Sequence, residues 1–244
     1  MSILVFQHHK IGVPGRLGMT LRDHGFKLDI RQPNLHENAV PKSIDDVQAL
    51  IVLGGPQNAC DEDFAKHPWL VDEVNLIKQA HEAELPIIGI CLGSQLIAHA
   101  LGGKVSKMPK PECGMTEVSL TSPGQTEPVL AGIAWNHPQF QSHHWQVEEL
   151  PDGATLLATN NNCKVQAYRA GLRTFGFQFH FECDREDIGK FLELEREGLS
   201  TLHIALEAAQ KDADHHYEMY ARLSNRLCVN LATLLFPLAH RRSA

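Results

Sequence analysis

The stretch Pro86-Ile87-Ile88-Gly89-Ile90-Cys91-Leu92-Gly93-Ser94-Gln95 decides how this chain folds. Its first half is a continuous apolar run of strand length, and a strand without polar alternation is one covered on both faces, as in a parallel sheet. From Gly93 to Leu101 the pattern turns helical and stops at Gly102-Gly103, where glycine suits a helix C-terminus. A strand therefore runs straight into a helix, with a cysteine at the junction. Upstream, Ile3–His8, Phe26–Arg31 and Ala49–Leu53 read as strands. Between Pro68 and Glu84, Leu70, Val71, Val74, Ile77, Ala80 and Ala83 recur at helical spacing. Up to about residue 105 the alternation predicts βα units around a mainly parallel central sheet, an α/β fold.

Downstream the texture changes. Glu117–Leu120, Ala154–Thr159, Val165–Arg169 and Thr174–Phe179 are shorter strand-like segments punctuated by Ser122-Pro123-Gly124 and Asn160-Asn161-Asn162, which predicts antiparallel additions to the sheet. Beyond about Arg185 strand signals cease. Met219, Leu223, Leu227 and Leu231 repeat every four residues and Leu234 continues the stripe, so a helical C-terminal tail is expected. The division expected is a body over 1–184 and a helical extension over 185–244, packed on the body or on a partner, with a homo-oligomer through these helices as one outcome.

Composition bounds the function. The chain has 244 residues, 43% hydrophobic and 21% charged, enough for a sizeable core. A net charge of −7 argues against nucleic acid as a partner, because a phosphate-backbone binder carries a basic face. Met1-Ser2-Ile3-Leu4-Val5-Phe6 lacks a basic leader and reads as a first strand, not a signal peptide. No window approaches the roughly 18 apolar residues of a membrane span, so no membrane is expected as partner. Six cysteines without a C-x-x-C fit a reducing cytoplasm. The 15 histidines include His8-His9, His143-His144 and His215-His216, but none falls in zinc spacing, and no metal is expected.

The junction around Cys91 is a nucleophile elbow, the cysteine counterpart of the serine elbow of α/β-hydrolases. A tight strand-to-helix turn pushes the side chain out of the sheet and sets its sulfur at a helix N-terminus, which favours the thiolate. The same turn frees the backbone N–H of Leu92 to stabilise an oxyanion. Taken alone, the segment suits equally a buried cysteine at a strand end. In Phe177-Gln178-Phe179-His180-Phe181-Glu182, strand alternation puts His180 and Glu182 on one side of an extended backbone, where the carboxylate can orient the imidazole. Taken alone, His-x-Glu also describes a solvated strand edge.

The Cys91 elbow, His180-x-Glu182 about ninety residues later, and Leu53-Gly54-Gly55-Pro56 at the end of the preceding strand together resemble the class I glutamine amidotransferases. The resemblance runs from about Ile3 to Glu182, roughly three quarters of the chain. It implies a flavodoxin-like three-layer fold, a Cys91-His180-Glu182 triad, and an oxyanion hole formed by the N–H groups of Leu92 and Gly55. It also implies that Gly54, Gln95, Ser142 and His143 bind substrate. Gln95 stands where the family has a substrate-contacting glutamine, Glu112-Cys113-Gly114 resembles its E-x-G segment, and Ser142-His143 resembles the start of its S-H-G/Q-D loop. The subgroup most similar is that of stand-alone domains like the amidotransferase part of GMP synthase, which includes γ-glutamyl peptidases.

Two departures stand out. Phe181 replaces the proline usual between His and Glu, and His144-Trp145 replaces a small and acidic pair where the substrate's α-amino and carboxylate groups would be held. Trp145 is open to two readings, an aromatic packed under the loop or a specificity element. The resemblance implies hydrolysis of a glutamine or γ-glutamyl amide through a glutamyl thioester, without a cofactor. Its alternatives are a glutaminase subunit delivering ammonia to a separate synthetase, and an amidotransferase-fold binding protein without turnover. No G-x-x-x-x-G-K phosphate loop follows the region, so any synthetase is expected on a separate chain.

Overall fold

A computed structural model describes residues 1–36 and 38–236. Nine strands are found among them: β1 (Ser2–Phe6), β2 (Leu28–Arg31), β3 (Val47–Val52), β4 (Ile87–Ile90), β5 (Lys104–Leu120), β6 (Asn136–Glu149), β7 (Thr155–Thr159), β8 (Ala167–Ala170) and β9 (Thr174–Phe177). They form one sheet in the order β2-β1-β3-β4-β9-β8-β7-β5-β6. The half from β2 to β9 is parallel and the half from β9 to β6 antiparallel. The helices are α1 (Gly15–Asp23), α2 (Asp61–Lys66), α3 (Pro68–Glu82), α4 (Leu92–Ala100), α5 (Ser122–Thr126), α6 (Arg185–Leu194), α7 (Arg196–Thr201) and α8 (Leu206–Asn230).

The apolar strands are apolar throughout because both faces are covered. Ile3 and Val5 of β1, Ala49 and Ile51 of β3, and Ile88 and Ile90 of β4 join Leu17 and Leu21 of α1 and Leu223 and Leu227 of α8 in one core layer. The intervening Leu4, Phe6, Leu50, Val52 and Ile87 face the opposite way, against Leu70, Val74 and Ile77 of α3 and Leu96 and Ile97 of α4. This is a mixed α/β fold of three layers, as the sequence predicts.

The antiparallel half is larger than its sequence suggests. Only Glu117–Leu120 of the 17-residue β5 reads as strand, and β6, 14 residues long, carries no apolar alternation. The physical reason is that the buried face of β6 is polar: His137, Gln139, Gln141 and His143 are all buried. In β5, Pro109 and Pro111 lie where pairing lapses, since Lys107 opposes Trp145 and Glu112 opposes His143, so residues 108–111 face His144 alone. Proline cannot donate to a ladder and is tolerated at such a bulge. The bulge lies beside the His144-Trp145 segment.

The C-terminal stripe winds differently from the four-residue repeat. Leu223, Leu227 and Leu231 are buried within this chain, whereas Met219 and Leu234 are 46% and 56% exposed. A step of four residues overshoots one helical turn by roughly 40°, so a row at that spacing drifts off any fixed face. Tyr220, Ser224, Cys228 and Leu235 complete the buried side instead. No helix among the described residues is long and apolar enough to cross a membrane.

Candidate active site

Cys91 sits between β4 and α4 with φ 52° and ψ −110°, a backbone conformation that costs a non-glycine residue about 1–3 kcal/mol. Its amide donates to Phe177 O of β9 at 2.8 Å, which fixes the turn at the C-terminal edge of the parallel strands. The helix can start at once because Gly93 lies against β3: a Cβ there would come within 1.9 Å of Val52 O. The thiol points towards the Ser142 carbonyl, with Sγ 3.7 Å from its oxygen.

His180 and Glu182 come from the segment following β9. The ladder ends at Phe177, earlier than the alternation suggests, and His180 makes an isolated antiparallel bridge with Phe140 of β6. The pairing of the two side chains survives this: His180 Nδ1 donates to Glu182 Oε1 at 2.7 Å, with both residues buried. The other ring nitrogen, Nε2, makes no hydrogen bond of ordinary geometry among the described residues. Burial alone would strip the proton from this imidazole. The charge of Glu182, together with hydrogen bonds involving Cys183, Cys91 and Glu182, overrides it and raises the pKa well above the usual histidine value. Phe140 and Phe191 flank the ring, at 6.3 and 5.0 Å between centroids. Gly54 closes the gap on a third side, since a Cβ there would lie 2.9 Å from His180 Cε1 and 3.4 Å from Cys91 Cβ.

Cys91 and His180 line a cavity of about 230 Å³. Gly54, Gly55, Leu92, Gln95, Ser142 and His143 also border it, so every residue expected to react, bind substrate or form the oxyanion hole lies there except Glu182, which bonds to His180 from outside the lining, while Glu112-Cys113-Gly114 and Phe181 do not border it. Gln95 and His143 have a shared task, since Gln95 Nε2 (2.9 Å) and His143 Nδ1 (3.0 Å) both reach the carbonyl oxygen of Trp145. His143 Nε2 reaches Glu112 at 2.9 Å, and Asn160 and Gln166 also donate to that carboxylate. Burial would raise the pKa of Glu112, but these hydrogen bonds hold it below the ordinary value. The loop Ser142–Trp145 is therefore set from beneath by a buried polar network.

The shape of this site has known counterparts. The family model for glutamine amidotransferase class-I matches residues 16–193. The chain belongs to that family. The glutamine amidotransferase-like protein YfeJ of Salmonella typhimurium is 34% identical over 165 residues, covering 66% of this chain and 68% of YfeJ. A glutamine-hydrolysing GMP synthase subunit of Sulfolobus acidocaldarius is 33% identical over 172 residues, 68% of this chain and 87% of its own length. Against longer GMP synthases the chain spans 26 to 31% of the relative's length. A glutamine amidotransferase structure from Thermotoga maritima superposes with a TM-score of 0.81 over 96% of this chain and 98% of its own, and at 23% identity it supports the fold. Membership of the class I family supports glutamine amide hydrolysis or ammonia transfer as the activity class.

Several residues at the amidotransferase cavity are marked by no motif in the sequence, among them Phe191, Leu194 and Glu195 at the end of α6. Glu195 accepts from Ser142 Oγ at 2.8 Å and pairs with His144 Nε2 at 3.0 Å. The spacing 191, 194, 195 places all three on one helical face, but nothing in the sequence ties that face to a site on the sheet. One signal was present: a carboxylate at a helix C-cap opposes the helix dipole.

Cys113, His144 and Glu195 also bring ligand atoms within 4.8 Å of one another, as do Glu112, His143 and Cys163. His180, Glu182 and Cys183 form a third such group among the described residues, and in all three burial works against the thiolate a metal needs, pushing the Cys113 thiol far up and those of Cys163 and Cys183 to about 12.

Proposed function

We propose that this chain hydrolyses the γ-amide bond of glutamine or of a γ-glutamyl compound, with Cys91 as nucleophile. The observation that carries the reading is the strained Cys91 elbow sharing a cavity with His180, whose Nδ1 is held by Glu182 at 2.7 Å while Nε2 is left free. In this reading the thiol proton of Cys91 resides on His180 Nε2, and the thiolate Sγ attacks the amide carbon. The N–H groups of Leu92 and Gly55 hold the oxyanion, and His180 returns the proton to the departing ammonia or amine. Water then gives its proton to His180 and its hydroxide to the thioester carbon, releasing the acid and the free thiol. No cofactor enters these steps.

Substrate choice belongs to the cavity mouth. A volume of about 230 Å³ lies below the usual range of about 300–1,000 Å³ for drug-sized ligands, which supports an amino acid-sized group. Glu195 is the one carboxylate at its border, and it sits where the family's acidic loop residue is replaced by His144-Trp145. We assign it the α-ammonium end of the substrate. Exposed His144 and Leu194 flank the opening, where a leaving group larger than ammonia has room.

The test is kcat/KM of the purified chain for glutamine and for γ-glutamyl peptides, with Trp145→Ala and Glu195→Gln in parallel and Cys91→Ser as control. Expected are turnover without any partner, a KM raised about tenfold or more by Glu195→Gln, as for loss of a charged contact, and no hydrolysis by Cys91→Ser. Normal turnover by Cys91→Ser would sink the assignment. The relatives named as subunits of GMP synthase favour a second reading, in which the chain releases ammonia only when docked on a separate synthetase. A wild-type chain inert to both substrates, yet covalently trapped by a glutamine-analogue electrophile, would select it. The six free cysteines, five of them buried, support residence in a reducing compartment.

A further inference from the structure

One buried charged pair takes no part in the chemistry above. His8, just beyond β1, and Glu73 of α3 are both completely buried. His8 Nε2 is 3.1 Å from each carboxylate oxygen of Glu73, and Nδ1 is 3.1 Å from the carbonyl oxygen of Leu53. Both partners can only accept, so both ring nitrogens must donate, and only the imidazolium carries two N–H groups. Burial works against that charge, while Glu73 and the carbonyls of Leu53 and Gly54 keep the proton on the ring and raise its pKa. Trp69 stacks on the imidazole at 5.4 Å with an interplanar angle of 15°. The ring also abuts the loop that follows β3: a Cβ on Gly55 would lie 2.5 Å from His8 Cβ.

A buried ion pair is a poor source of stability, because desolvation offsets most of the attraction. This one lies directly under Leu53-Gly54-Gly55. We propose that the His8–Glu73 pair is a positioning device for the oxyanion loop, anchoring the carbonyl of Leu53 at the start of Leu53-Gly54-Gly55 so that the N–H of Gly55 is held at the cavity. The ring that holds the Leu53 carbonyl belongs to the side chain that Gly55 packs against, and Gly54 between them lies against Cys91 and His180, so the turn is fixed from beneath on one side and bordered by the reactive groups on the other. Glu73 acts one step further back, holding the ring and its charge in place. The inference rests on the reading that Gly55 is an oxyanion donor, but not on the identity of the substrate.

Two reagents separate loop positioning from general damage. Acylation of Cys91 by p-nitrophenyl acetate forms a C–S bond, expels p-nitrophenolate and passes through a tetrahedral oxyanion, so it needs the hole. Alkylation by iodoacetamide forms a C–S bond and expels iodide in one displacement, and makes no oxyanion. Rates would be read at Cys91 by site-resolved mass spectrometry, because Cys60 is also partly exposed. The chains compared are the wild type, His8→Gln, Glu73→Gln and the double variant His8→Leu/Glu73→Leu, which leaves no charge unpaired and carries the test if a single variant does not fold.

Acylation is expected to fall about tenfold or more in each variant, a fraction of what outright loss of an oxyanion donor costs, with alkylation within about twofold of wild type. Unchanged acylation overturns the proposal. So does a parallel fall of both rates, which would mean that the pair merely holds the fold. A wild-type chain that the ester acylates but that hydrolyses no γ-glutamyl amide would refute the substrate reading, while the acylation-to-alkylation ratio still decides the role of His8.

Discussion

At Cys91 the backbone is strained, and at His180 a ring is held charged against its own burial; both departures place reactive groups where solution chemistry would not. The His180 pKa yields a prediction with a definite sign. Because the folded value lies above 6.5, the ion-pair stabilisation is fully present below about pH 6.5 and is lost as pH rises through the folded pKa. The imidazolium proposed to protonate the leaving amine is lost over the same interval. In the variant Glu182→Gln the charge that raises the pKa is gone while the hydrogen bond to Nδ1 can persist. The alkaline limb of kcat/KM should therefore move to lower pH, and thermal stability should fall less above the folded His180 pKa than at pH 6. A pH–rate profile superimposable on that of wild type would show that Glu182 does not set the protonation of His180.

Among the elements, the junction of β4 and α4 depends on how closely a helix can approach a neighbouring strand. A methyl group at Gly93 would meet Val52 O at 1.9 Å, backbone against backbone, whereas one at Gly54 would meet the side chains of His180 and Cys91. Gly93→Ala is expected to cost about 1–3 kcal/mol of stability or more, as overpacking does, visible as a lower melting temperature. Gly54→Ala should leave melting nearly unchanged and lower kcat, because what must move is the imidazole proposed as acid and base. The reverse pattern would contradict the geometry. These two glycines belong to segments whose meaning was legible in the sequence, since a parallel strand buried on both faces announces itself by composition and the residues at its end inherit a position. The antiparallel half was not legible for a reason just as physical. The inward face of β6 is filled by His137, Gln139, Gln141 and His143, of which Gln141 and His143 bond to Gln166 and Glu112, so the hydrophobic pattern that marks a strand is missing. Glu195 was hidden for another reason: its place at the cavity is set by how α6 packs, a tertiary relation that its C-cap position alone does not reveal.

For the whole molecule, the question is whether the C-terminal helices are a separate extension or part of the site. Tyr220 of α8 donates from its hydroxyl to His180 O at 2.7 Å and shares that proton with Cys183 O at 3.0 Å, so the helix grips the backbone of the proposed acid–base residue. Ile188 and Leu192 of α6 and Leu199 of α7 pack with Ala209, Ala213 and Tyr220 against Phe140, whose carbonyl accepts from His180 N. Phe191 supplies one wall of the imidazole slot. We therefore expect the tail to be required for both folding and turnover. Tyr220→Phe removes one hydroxyl and should cost about 1–3 kcal/mol, the usual penalty for buried carbonyls left without their donor; kcat should fall with it as His180 loosens. Truncation after Glu182 would uncover Phe140 and the core layer that Leu223, Leu227 and Leu231 close, an apolar face too large to remain in water unassociated. The truncated chain should aggregate or show no hydrolysis, read by size-exclusion chromatography and by the γ-glutamyl amide assay. A soluble, fully active monomer of unchanged melting temperature would instead make the tail an inert extension, and the grip of Tyr220 on His180 would then have no functional weight.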